Sequence, residues 1–267
     1  QALVLAGALG GLAEMALQQL NADLEERINQ RTAELTALNQ SLESFVYSVS
    51  HDLKAPLRGV DGYSRLLEES CAGQLGDEGH LFIRNIRAGV TRMSELINDL
   101  LAYSRMERRK LESGALDLSV LVHQALEECR ADIAAHQIEI AAQLPPLMVR
   151  GDREGLALVL RNLLENAIKF SQHSAHPRIE FGSEQDGGRI SLWIRDNGIG
   201  FDMKYNQRIF EIFERLHRLE DYPGTGIGLA LVKKAMQRMG GRVWAQSAPG
   251  EGATFYLQLP AVQENLK

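Results

Sequence analysis

Ser50-His51-Asp52-Leu53-Lys54-Ala55-Pro56-Leu57 sets an imidazole beside a carboxylate, with a proline about one helical turn further on. On its N-terminal side the apolar residues Leu24, Ile28, Leu35, Leu38, Leu42, Phe45 and Val49 recur at steps of four and three, with Arg31 at the one polar place in the row. A sustained period of 3.5 residues predicts a coiled coil. The intervening residues, Glu25, Glu26, Arg27, Gln30 and Glu34, are polar. A lone helix would leave that seam in water, so a partner helix is expected, and with it a homodimer.

On the C-terminal side the helix is expected to continue through Pro56 with a kink, because proline removes one backbone hydrogen bond and crowds the preceding turn. It should end near Ser70. Gly73, Gly76, Asp77 and Gly79 read as an interhelical loop. A second helix is expected from His80 to Leu111, with Phe82, Ile86, Met93, Leu96, Ile97, Leu100 and Leu101 along one face. Two such hairpins from two chains would make a four-helix bundle. Ser113-Gly114 reads as the domain boundary.

Beyond it the pattern becomes mixed α/β. Strands are expected at Leu116–Leu118, Gln137–Ala142, Leu147–Arg150, Arg178–Gly182, Arg189–Arg195, Arg242–Gln246 and Ala253–Leu259. Helices are expected at Leu121–Ala135, from a cap at Asp152 to Phe170, and at Thr225–Met239. Asp186-Gly187-Gly188 reads as a hairpin turn, and Gly240-Gly241 as a helix stop.

The 267 residues allow one large domain or two ordinary ones, and 45% hydrophobic with 24% charged residues is ordinary for a soluble globular chain. A net charge of −6 argues against non-specific nucleic-acid binding, which needs a basic footprint. Cys71 and Cys129 form no C-x-x-C pair and read as inert thiols in a reducing compartment. The chain begins with Gln1, which reads as a fragment of something longer. Residues 2–13 carry no charge, too short a run for a bilayer, which needs about 20 residues. Residues 1–20 are expected to be a truncated membrane-helix end or an apolar linker helix. No basic region precedes the run, so it does not read as a signal-peptide pattern.

Three further motifs follow in order: Asn162-Leu163-Leu164-Glu165-Asn166-Ala167-Ile168-Lys169-Phe170, Asp196-Asn197-Gly198-Ile199-Gly200 and Gly224-Thr225-Gly226-Ile227-Gly228-Leu229. Asn162 and Asn166 stand at i and i+4 on one helix face. The glycine triplet opens a helix, where free N–H groups and the helix dipole suit phosphate. Neutral imidazole can attack phosphorus through a ring nitrogen, which makes His51 the candidate nucleophile and Asp52 its candidate orienting base. Adjacent residues on a regular helix do not face each other, so this pair is expected to need a local bend.

Together with the His51 stretch, these motifs make the chain, over residues 20 to 260, resemble the sensor histidine kinases of two-component systems. The resemblance implies a dimeric helical hairpin carrying the phosphoacceptor, then a Bergerat-type ATP-binding α/β sandwich with one mixed sheet covered on one face by helices. The implied domains are a coiled coil at 21–49, a dimerisation and phosphotransfer domain at 50–113, an ATP-binding domain at 114–262 and a tail at 263–267. It implies that Asn166 holds Mg²⁺, that Lys169 reaches the phosphates and that Asp196 accepts the adenine amino group. Gly198 and Gly200 would turn beside the base, Gly224, Thr225, Gly226 and Gly228 would cradle phosphate, and Thr254 would bond near adenine. Residues 197–223 resemble a mobile ATP lid, with Phe210 and Phe213 as its paired phenylalanines and Arg218 touching the γ-phosphate, Arg215 and His217 being nearby alternatives.

Related ATPases and chaperones of this fold carry a water-activating Glu where this chain has Asn162, an amide that cannot act as a base, so hydrolysis should be slow. Many members have Thr or Asn where this chain has Ala55, which puts phosphatase activity in doubt. The implied function is autophosphorylation of His51 by ATP–Mg²⁺ and transfer to an aspartate on a response regulator, in the cytoplasm, with the full-length protein anchored in the inner membrane if the first residues end a membrane helix. The alternatives are a non-catalytic dimeric scaffold and a Bergerat-fold ATPase. The segment Glu26-Arg27 with Arg31-Thr32-Ala33-Glu34-Leu35 resembles the phytochrome-like branch.

Overall fold

The computed structural model describes residues 2–71, 74–217 and 221–262. The chain divides into two compact units, residues 1–53 and 54–267. Helix α1 (Ala2–Ser70) begins in the first and ends in the second, running through Pro56. Its end falls where expected. Gly73 and the 263–267 tail lie outside the described residues, as do the side chains of residues 2–14, Leu42 and Phe45. Among the described residues no helix is long and apolar enough to cross a membrane.

In the first unit α1 makes its own surface ion pairs, Arg27 with Asp23 at 3.1 Å and Arg31 with Glu34 at 2.8 Å. Its seam residues Leu24, Ile28, Leu35, Leu38 and Val49 are exposed, up to 69% at Leu38.

In the second unit the rest of α1 pairs with α2 (Asp77–Arg108). Leu57, Val90, Ile97 and Leu101 form their shared apolar cluster. Arg87 ties the hairpin together, reaching Glu68 at 2.9 Å and Asp61 at 3.4 Å. The single apolar face expected on α2 is in fact two. Ile83, Val90 and Ile97, spaced by seven, are buried together with Leu101, whereas Phe82, Ile86 and Met93 are exposed.

The α/β region builds a five-stranded mixed sheet and a two-stranded one. β1 (Ser113–Asp117) pairs antiparallel with β3 (Met148–Asp152). The larger sheet runs β2 (Glu139–Ala141), β4 (Arg178–Asp186), β5 (Arg189–Asp196), β7 (Ala253–Pro260), β6 (Arg242–Ser247). Only β2–β4 is parallel. Alternation decides the faces: Ile190, Leu192 and Ile194 of β5 and Leu257 and Leu259 of β7 are buried.

The core lies between that sheet face and helices α3 (Leu118–Glu128), α5 (Arg153–Ser171) and α6 (Gly228–Arg238). On α5 the residues Leu156, Val159, Leu160, Leu163 and Leu164 follow helical spacing and are almost wholly buried, each contributing about 1.5–3 kcal/mol. Asp152 caps this helix, its Oδ2 accepting the Gly155 N–H at 2.7 Å.

Three boundaries differ from expectation for local reasons. Asp117 accepts the Ser119 N–H at 2.9 Å, so the first strand stops and α3 starts at Leu118. The expected Leu121–Ala135 helix breaks at Cys129 into α3 and the short α4 (Arg130–Ala135). Helix α6 starts at Gly228 rather than Thr225, because Gly226 adopts φ +75°, a left-handed value no helix residue takes. Ser113-Gly114 is no break in packing: Met106 of α2 is buried in the α/β core, and Ala102 and Tyr103 pack against it.

Candidate nucleotide site

One face of α5 is apolar and enters the core; the other carries Asn162, Glu165, Asn166 and Lys169. These four line a cavity of about 530 Å³, together with Asp196, Gly200, Gly224, Thr225, Gly226 and Gly228. The three ordered motifs therefore converge in space.

Asp196 ends β5 and is 3% exposed. Burial pushes its carboxyl up to about 6, although backbone N–H groups of Gly198 and Ala253 partly oppose this. Gly198 does not line the cavity; its N–H donates to Asp196 Oδ1 at 2.9 Å and so holds the carboxylate. Gly200 has φ +60°, and a Cβ there would stand 2.0 Å from the Ala248 carbonyl oxygen, so no other residue fits.

At the opposite end Asn162 donates Nδ2–H to the Leu158 carbonyl at 2.9 Å. Its Oδ1 turns toward the start of α6, where a Cβ on Gly228 would come within 2.6 Å. The Asn166 amide makes no hydrogen bond among the described residues. Lys169 has no ion pair there either. Its ammonium sits 4.5 Å over the Phe170 ring, and its affinity for a proton is lowered by burial and by the Arg215 charge.

The lid segment contributes Arg215, Leu216, His217 and Tyr222 to the lining. Arg215 donates to the Tyr222 carbonyl at 2.8 Å. Tyr222 and His217 pack on Phe170, with ring centroids 5.2 and 5.9 Å away. The two lid phenylalanines do not act as a pair. Phe210 is buried edge-on against Phe255, whereas Phe213 is 60% exposed at φ +66°. Arg218 lies outside the described residues.

Thr254 needs a correction. It is buried but does not line the cavity; Ala253 and Phe255 do, and strand alternation turns the residue between them to the other face. There its Oγ1 accepts from Arg195 Nε at 3.3 Å.

In the first unit His51 Nδ1 lies 3.3 Å from Asp52 Oδ1, both side chains being about three-quarters exposed. They meet on unbroken helix, so the bend expected for this pair is not needed. Nε2 makes no hydrogen bond among the described residues.

Residues 151–263 match the family described as Histidine kinase-, DNA gyrase B-, and HSP90-like ATPase. Residues 41–109 match the His Kinase A (phospho-acceptor) domain. The chain belongs to the histidine kinases. Cyanobacterial phytochrome A of a Nostoc species is 37% identical over 88% of this histidine kinase chain and 30% of its own length. The methanogenesis regulatory histidine kinase FilI of Methanothrix harundinacea is 32% identical over 96% of this chain and 29% of its own length. Full-length ShkA in complex with AMPPNP superposes with a TM-score of 0.62 at 29% identity, over 82% of this chain and 46% of that one. The chain thus spans under a third of these two curated relatives.

Sequence reasoning missed one wall of this kinase's cavity. Glu95, Asn98 and Asp99 of α2 line it, and Asp99 Oδ2 accepts a 2.6 Å bond from Thr225 Oγ1 across 126 residues. No local pattern announces a contact of that range. Glu165, by contrast, stood inside the α5 motif, and its exposure to the cavity follows from its helical position beside Asn162.

Proposed function

We propose that this chain is a sensor histidine kinase core that uses ATP to phosphorylate His51 and passes the phosphoryl group to an aspartate of a response-regulator receiver. One observation carries the reading: Lys169 and Arg215, neither of them in a salt bridge among the described residues, bring two cations to the cavity that holds the free Asn166 amide and the buried Asp196 carboxylate. Both side chains are part-buried, and polyphosphate oxygens would give the ammonium and the guanidinium charge-assisted hydrogen-bond partners. The AMPPNP held by ShkA supports the same ligand class here.

In this reading ionised Asp196 accepts the adenine amino hydrogen, and Lys169 and Arg215 meet phosphate oxygens. Gly224, Thr225, Gly226 and Gly228 offer backbone N–H groups to the same anion. The Asn166 carbonyl is a hard oxygen donor suited to Mg²⁺, which when bound would neutralise phosphate charge. Arg218 remains a further cation by resemblance. The neutral His51 ring attacks the γ-phosphorus through Nε2 while Asp52 holds Nδ1–H and accepts that proton as positive charge builds on the ring. The bond from phosphorus to the β-bridging oxygen breaks, and ADP leaves with the electron pair. The exposed apolar seam of α1 and the exposed Phe82, Ile86 and Met93 of α2 support a homodimer. A reaction fed by ATP is assigned to the cytoplasm. An ATPase reading is disfavoured by Asn162, which offers no base, and a scaffold reading by the intact set of cavity residues.

The test is acid-labile, base-stable label from γ-labelled ATP. His51→Ala should abolish it while ATP binding and dimer mass stay unchanged. Label that persists in this variant sinks the assignment.

A further inference from the structure

Glu95, Asn98 and Asp99 stand at i, i+3 and i+4 on α2, so one face of the hairpin's second helix forms a wall of the nucleotide cavity. Asp99 is half-buried, and the Thr225 hydroxyl that it accepts from is the middle residue of Gly224-Thr225-Gly226. The same oxygen accepts the Ile227 N–H at 3.3 Å, so the loop's own turn and its tie to α2 share one hydroxyl. Two other contacts hold α2 in place. Arg238 of α6 donates to the Met106 carbonyl, and Arg109, just past α2, pairs with the buried Asp152 that caps α5. Asp99 is thus a fixed negative charge on the loop that would receive phosphate. Glu165 feels it: its carboxyl is pushed up by desolvation, with the Asp99 charge adding to the effect.

We infer that Asp99 is a latch that regulates nucleotide loading. It ties the glycine loop to α2 in the nucleotide-free protein and opposes the incoming triphosphate, so that ATP binding and docking of α2 on the loop weaken one another. The inference rests on the cavity being the ATP site. Two effects act in the same direction. A phosphoryl oxygen competes with the carboxylate for the Thr225 hydroxyl, and like charges repel across a half-buried gap where water screens poorly. Linkage then makes the coupling reciprocal: the factor by which the latch weakens ATP is the factor by which ATP weakens the latch.

The experiment uses the full chain with Asp99→Asn, which removes the charge but keeps an acceptor for Thr225, and Asp99→Ala, which removes both. Calorimetry with Mg²⁺ should show ATP binding about tenfold tighter in both variants, with a smaller gain for ADP, which carries less charge. Hydrogen exchange across residues 95–106 should rise when ATP is added to the unmodified chain. It should already be high in nucleotide-free Asp99→Ala. If Asp99→Ala does not fold, the isosteric Asp99→Asn still decides through its ATP affinity. An unmodified chain that binds no ATP overturns both the ATP reading and the latch. A chain that binds ATP, with Asp99→Asn equal or weaker, or with exchange over 95–106 unmoved by ATP, overturns the latch alone.

Discussion

Leu156, Leu160, Leu163 and Leu164 on α5 are at most 1% exposed, whereas Leu24, Leu35 and Leu38 on α1 are 47%, 66% and 69% exposed. Residue type and helical spacing are alike in the two places; what differs is what lies opposite. The α5 leucines meet a sheet face supplied by the same chain. Among the described residues of the first 53, no apolar side chain is buried. The core of the α/β region is thus filled from within the second unit, Met106 of α2 included, while the described part of α1 in the first unit leaves its apolar face exposed.

The sharpest test is a core truncation. Leu163→Ala should cost about 4 kcal/mol, measured by urea unfolding and independent of protein concentration. Leu35→Ala should shift the same α/β transition by under about 0.5 kcal/mol. Equal losses at the two sites would erase the contrast. Next comes the seam itself. Leu38→Glu should raise the dimer dissociation constant by about 100-fold or more, because it places a charge where the seam is covered. Light scattering that reports a monomer for the unmodified chain would remove the partner from the comparison altogether.

A smaller effect separates stability from function inside the α/β region. The Asp196 carboxyl is raised from its ordinary 3.8 to about 6, so the folded protein holds that proton more tightly than the unfolded chain does. Its cost to stability is absent below pH 4, grows as pH rises through that window and is complete above about 6. It then amounts to roughly 2–3 kcal/mol. Asp196→Asn should recover that amount at pH 8, gain little at pH 4.5, and lose nucleotide affinity. In the unmodified chain ATP affinity should fall about tenfold per pH unit below 6, as the acceptor for the adenine amino group becomes protonated. Unfolding curves of Asp196→Asn that show no pH-dependent gain would mean the burial cost is offset elsewhere.

The smallest effect contrasts the two lid phenylalanines. Phe213 holds a left-handed backbone with an exposed ring, so Phe213→Asn should stabilise by about 1 kcal/mol. Phe210→Ala should destabilise by about 3 kcal/mol, since that ring is buried against Phe255. A loss in the first variant would mean Phe213 is held by contacts that outweigh its strain.

Much of this was legible before any coordinates. Periodicity marked α1, α2, α5 and the hairpin of β4 and β5, because amphipathic spacing is a property of neighbouring residues. The cavity contacts of Asn162, Asn166 and Lys169 followed from one helix face. Misreadings arose where a single side chain redirects the backbone or the choice of face: Asp117 capping α3 early, Gly226 delaying α6, and Thr254 assigned to the cavity when alternation gives that place to Ala253 and Phe255. On α2 one apolar stripe was expected where two exist, because Ile83 and Val90 look no different in sequence from Phe82 and Ile86.

By itself the chain's residue order determined the helical hairpin followed by an α/β sandwich and the shared helix face of Asn162, Asn166 and Lys169, since those depend on spacings of one to eight residues. Only the tertiary structure decided that burial would raise the Asp196 carboxyl to about 6, that Lys169 and Arg215 would line one cavity, and that Asp99 would close on Thr225. Each of these depends on which distant surfaces meet and how much water they exclude, and neither quantity is carried by local sequence.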